Sequence, residues 1–78
     1  MELSKAFGLV IRELRKECGL TQEELGLEAD LRRTYVSILE LGQQMPSLQT
    51  IFKISSALKV SPSKVVDLVE EKIYSSEN

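Results

Sequence analysis

Apolar residues recur along the chain at helical spacing, in blocks separated by short polar punctuation. Phe7, Val10, Ile11, Leu14 and Cys18 fall on one stripe at about 100° per residue. Gly19 follows where a left-handed C-terminal cap would stand. The spacing predicts a first helix over residues 4–18, with Ser4 as its N-cap and Cys18 as a small core residue. "TQEE" at 21–24 has the form of a capping box, in which Thr21 accepts from the Glu24 amide and Glu24 reaches back. A second helix is therefore expected over 22–28.

"ADL" at 29–31 separates this helix from the next periodic segment, and Asp30 is a residue type that tolerates positive φ. The third helix is expected over 32–41, stopping at Gly42. Pro46-Ser47 opens a fourth over 48–58, with Ser47 as N-cap and Leu48, Ile51, Ile54 and Leu58 on one face. Ser61 and Pro62 then suit the N-cap and first position of a fifth helix over 62–73, which carries Val65, Leu68, Val69 and Ile73. Tyr35 and Val36 have strand propensity, but the surrounding caps and spacing outweigh it. The expectation is an all-α chain with one domain over 1–74 and a frayed tail over 75–78.

Composition narrows what such a chain can do. Seventy-eight residues suffice for one small domain, and 42% hydrophobic with 28% charged residues is ordinary for a globular fold. A single cysteine allows no disulfide within the chain, and without histidine no metal or cofactor site is expected. No nucleophile–base pair and no glycine-rich phosphate loop is present, so an enzyme is the least favoured reading. The opening stretch lacks a long apolar run and contains Arg12 and Arg15, so neither a signal peptide nor a membrane span is expected, and a cytoplasmic location fits. A net charge of −2 argues against a general polyanion binder, so any nucleic-acid role must rest on local charge placement.

Two short helices joined by a tight turn, with one helix before and two after, describe a helix-turn-helix arrangement. The run "GLTQEELGLEADLRRTYVSILELGQQMPSLQTIFKISSALKVSPSKVV", 48 of the 78 residues, resembles the DNA-binding domain of the XRE, or lambda-repressor-like, family. Matching signals occur in order: "GLTQEEL", a Tyr-Val-Ser third helix, Glu40 before Gly42, "PSL" and "SALKVSP". "RTYVS" is also similar to the small controller proteins of restriction–modification systems. The resemblance implies a five-helix lambda-repressor-like fold, double-stranded DNA as partner and the third helix as the reader. It implies that Gln22 grips the DNA backbone and that Arg15 and Glu40 form a partly buried structural ion pair.

A helical wheel centred on Val36 and Leu39 separates the third helix without reference to any family. Thr34, Ser37, Ile38 and Leu41 point outward, Arg33 flanks them at the leading end, and Glu40 lies at the core edge. Arg33 can donate twice to guanine, Thr34 and Ser37 can bond base edges or phosphates, and Ile38 can pack on a thymine methyl. Ile38 and Leu41 suit either a groove or a protein interface. Thr21, Gln22, Arg32, Tyr35, Gln43 and Gln44 are the candidates for the sugar–phosphate backbone. Between Glu23 and Gln44 two cations, Arg32 and Arg33, face five anions, Glu23, Glu24, Glu28, Asp30 and Glu40, so each copy should bind DNA modestly. Two copies on a palindrome would multiply those contacts, and Phe52, Val66, Val69, Ile73 and Tyr74 are the candidate homodimer interface. The competing reading is a protein-interaction module, an antitoxin or adaptor, using Leu27, Ile38, Leu41 and the acidic surface.

Overall fold

A computed structural model describes residues 1–76. Within them the backbone forms α1 (Leu3–Glu17), α2 (Gln22–Ala29), α3 (Arg33–Glu40), α4 (Leu48–Ala57) and α5 (Pro62–Ser76), and no strand among the described residues. The fold is all-α. Both halves of the capping box at Thr21 and Glu24 are present, with bonds of 3.0 and 2.8 Å. Ser47 accepts from the Thr50 amide and Ser61 from the Lys64 amide, each at 3.1 Å. The turn between α2 and α3 closes with Asp30 at φ 58° and the Leu31 N–H donating to the Gly26 carbonyl at 2.8 Å.

α1 packs on α3 and α5, α2 on α3 and α4, and α4 on α5. The enclosed side chains include Phe7, Val10 and Ile11 of α1, Leu25 of α2, Val36 and Leu39 of α3, Ile54 of α4 and Val65 of α5. Burying each such side chain stabilises the fold by ~1.5–3 kcal/mol. Two glycines permit backbone contacts that any side chain would block. A Cβ on Gly8 would lie 2.5 Å from the Leu39 carbonyl oxygen and 2.6 Å from that of Glu40, so α1 presses directly on the last turn of α3. A Cβ on Gly26 would lie 2.6 Å from the Leu31 carbonyl oxygen, which keeps α2 close to the turn.

Several local expectations are corrected. α1 begins at Leu3 with Glu2 as N-cap, because the Glu2 carbonyl already accepts from Ala6 at 3.0 Å, and Ser4 lies inside the helix. Cys18 is exposed, since the helix ends at Glu17 and the chain turns away through Gly19 at φ 71°. Its thiol reaches the Leu58 carbonyl at 3.6 Å at the rim. Leu48 is 68% exposed, because it occupies the first position of α4, and the inward site of that first turn is taken by Thr50 two residues on. Lys59 adopts φ 61°, a left-handed residue that its type does not announce. α5 runs through Ser76, past the expected start of the frayed tail, and residues 77 and 78 lie outside the described residues.

Gly8→Ala should lower stability by about 1–3 kcal/mol despite alanine's better helix propensity, because the methyl has only backbone to meet. Urea denaturation measures this, and an unchanged midpoint would show that α1 and α3 separate without cost.

Candidate nucleic-acid interface

The tight turn sets α2 and α3 so that the N-terminus of one lies beside Arg33 at the start of the other. The capping box satisfies the Thr21 and Glu24 amides. It leaves the amides of Gln22 and Glu23, which no carbonyl within the helix can reach, directed out of the helix end. Beside that end, Arg15, Thr21, Gln22, Glu23 and Arg33 line a shallow concavity. α3 begins with Arg32 as N-cap and no side-chain cap bond. Two arginines there are opposed by the helix dipole, so they do not serve the helix itself.

The outward residues of α3 differ in exposure. Arg32, Arg33 and Thr34 are exposed, whereas Ser37 and Ile38 are half-buried. Tyr35 is half-buried with its ring packed against the core, which leaves only part of the side chain at the surface. Leu41 is 58% exposed just past the helix, and Gln43 and Gln44 are exposed in the loop that follows. No basic side chain accompanies them in residues 41–47. Leu27 on α2 is 77% exposed.

Behind this surface Glu40 is buried, with its side chain 3% exposed and that of Arg15 11%. Arg15 Nε donates to Glu40 Oε2 at 2.6 Å and Nη2 to Oε1 at 3.0 Å, a two-pronged contact. Arg15 Nη1 also donates to the Leu20 carbonyl at 2.8 Å. The bond to Glu40 holds the Arg15 guanidinium above its ordinary pKa, against the opposing effect of burial. Raised in the folded state, the charge is stabilising throughout the neutral range, and that contribution fades only at strongly alkaline pH. One contact escaped the sequence reading: Gln22 Nε2 donates to Glu40 Oε1 at 3.1 Å. The two residues are 18 apart and no linear spacing marks them, because the turn at Asp30 brings them together.

The candidate self-association residues divide. Phe52, Val66 and Tyr74 are exposed, but Val69 is buried at 6% and belongs to the core, which removes it from any interface. Ile73 is half-buried and packs against that core. The fifth helix has to close the small bundle, and it uses these inward positions to do so. On its outer side Lys72 pairs with Glu13 of α1 at 2.8 Å. No group of metal-ligating side chains is found among the described residues, and no helix there is long and apolar enough to cross a membrane.

Comparison with known proteins places this geometry. A sequence model described as helix-turn-helix matches residues 11–65. The control protein C.BamHI of Bacillus amyloliquefaciens is 44% identical over 62 residues, which span 78% of this chain and 76% of that protein. Among solved structures, the restriction–modification controller protein C.AhdI from Aeromonas hydrophila superposes with a TM-score of 0.78 at 40% identity, covering 80% of this chain and 94% of that one. The clp gene regulator ClgR from Corynebacterium glutamicum reaches a TM-score of 0.93 at 25% identity, covering 99% and 82%.

Removing either partner of the buried pair leaves an uncompensated charge, so Arg15→Ala and Glu40→Ala should each cost about 3–5 kcal/mol. The double variant should lose far less than the sum, with a coupling well above the ~0.2–1 kcal/mol of exposed pairs. Additive losses in chemical denaturation would refute the pairing.

Proposed function

Because this chain belongs to the XRE-type helix-turn-helix family of DNA-binding transcriptional regulators, we propose that it binds a palindromic operator as a homodimer. α3 enters the major groove and the N-terminus of α2 anchors on the sugar–phosphate backbone. One observation carries this reading: the free amides of α2 and the exposed arginine end of α3 border the same concavity. Arg33 reads guanine, Thr34 and Ser37 bond base edges, and Ile38 contacts a thymine methyl. Gln22 and Thr21 meet one phosphate, and Arg32, Tyr35, Gln43 and Gln44 meet its neighbours. Identity to a control protein and a controller protein supports regulation of transcription as the outcome of binding.

With few cations on the reading surface, each copy neutralises few phosphates, and symmetry supplies the remaining affinity. Phe52, Val66 and Tyr74, exposed on α4 and α5, are the proposed contacts between copies. The protein is proposed to act in the cytoplasm, where it would meet DNA directly.

Selection from a random DNA pool tests the reading, with recovery of a two-fold symmetric site expected. Half-sites should lie about 34–36 Å apart. Arg33→Ala should relax preference at one base position by ~1–3 kcal/mol, while Gln22→Ala weakens all sequences alike. Equal loss from Arg33→Ala on selected and random DNA would move that residue to the backbone set. Equilibrium sedimentation at tens of micromolar should give twice the monomer mass, and monomer alone would overturn the dimer. If no duplex is retained at any salt concentration, the protein-interaction reading takes over.

A further inference from the structure

We propose that Glu40 is a positioning residue for the DNA backbone contact of Gln22. Its buried carboxylate fixes the Gln22 amide before DNA arrives. The inference rests on the reading of Gln22 as a phosphate anchor and adds what holds the anchor in place. Glutamine in a first helical turn ordinarily samples several rotamers, and its amide can face either way round. Here a carboxylate, which can only accept, lies 3.1 Å from Gln22 Nε2, so the nitrogen must face inward to Glu40. An amide nitrogen carries two hydrogens. With one donated to Glu40, the other remains available beside the free amides of the α2 N-terminus.

The arrangement also explains how a carboxylate can stand beneath an anion-binding surface. Unpaired, it would repel a phosphate across a short distance of weakly polarisable protein. Arg15 neutralises it through two bonds at 2.6 and 3.0 Å and is itself held to the Leu20 carbonyl, so the charge pair presents a neutral support. The result is a relay across three helices, Arg15 on α1, Glu40 on α3 and Gln22 on α2. Its outer member is uncharged and pre-ordered. Ordering one long side chain in advance should raise DNA affinity roughly two- to tenfold.

The test has two arms, both on the full chain. In the free wild-type protein, nitrogen-15 relaxation of side-chain amides should show Gln22 restricted relative to the exposed Gln43, Gln44 and Gln49. Equal mobility overturns the proposal without any variant having to fold. In the second arm, E40Q, Q22A and the double variant bind the best duplex recovered from the random pool, with folding checked by thermal unfolding. E40Q uncovers the Arg15 charge in both backgrounds, so positioning is read from the difference: binding should weaken roughly two- to tenfold more when Gln22 is present than in the Q22A background. Equal losses in both backgrounds would reduce Glu40 to a fold-stabilising residue and overturn positioning. Wild-type affinity for Q22A would remove the contact itself. Failure of the wild type to retain any duplex would instead defeat the DNA reading on which the inference stands.

Discussion

A carboxylate taken out of water must be met by donors, and the one on Glu40 is met from two other helices at once. Arg15 supplies the charge and Gln22 the remaining bond, so the requirement of a single buried anion fixes the mutual placement of α1, α2 and α3. Hydrophobic burial alone is tolerant of rotation and sliding, since a leucine is satisfied by many neighbours. Directed bonds of 2.6 to 3.1 Å are not. The pair therefore contributes more to defining one arrangement of the reading surface than to the net free energy of folding, where desolvation offsets much of the attraction.

The same economy runs through the surface. Within residues 23–44 the only cations are Arg32 and Arg33, and they gather at the start of α3, where the helix dipole disfavours them. As a proposed DNA-binding surface, this face would gain little from counterion release and would draw on geometry: hydroxyls, an aliphatic group and helix-end amides held in register. The close contact of α1 with α3 at Gly8 fits the proposed base-reading role of α3, which would require a firm mounting.

Much of the scaffold was legible in the sequence because its signals are local. The capping box at Thr21, the caps at Ser47 and Ser61 and the left-handed turn at Asp30 each follow from the chemistry of a few adjacent residues. The differences arise where one residue's own type does not decide the outcome. Ser4 has the right side chain for a cap, yet a backbone carbonyl two residues earlier already closes the turn. Cys18 and Leu48 lie on apolar stripes, but they sit at the ends of their own helices, where the stripe no longer faces the core. Val69 belongs to a helix that holds more apolar residues than one face needs, and only packing against α1 and α4 decides which face turns in. At the candidate site, the outward order of Arg33, Thr34, Ser37 and Ile38 came from the wheel, whereas the link from Gln22 to Glu40 required the fold itself.

Gly8 has a consequence for how such a chain can diverge. With α1 lying against the carbonyls of Leu39 and Glu40, the inner side and last turn of α3 are closed to exchange. The positions of Arg33, Thr34, Ser37 and Ile38 touch none of that contact. On the proposed reading, a lineage could rewrite those four residues, and with them the DNA sequence bound, while inheriting the mount unchanged. The proposed recognition residues and the architectural contact thereby occupy different faces of an eight-residue helix, free to evolve at different rates.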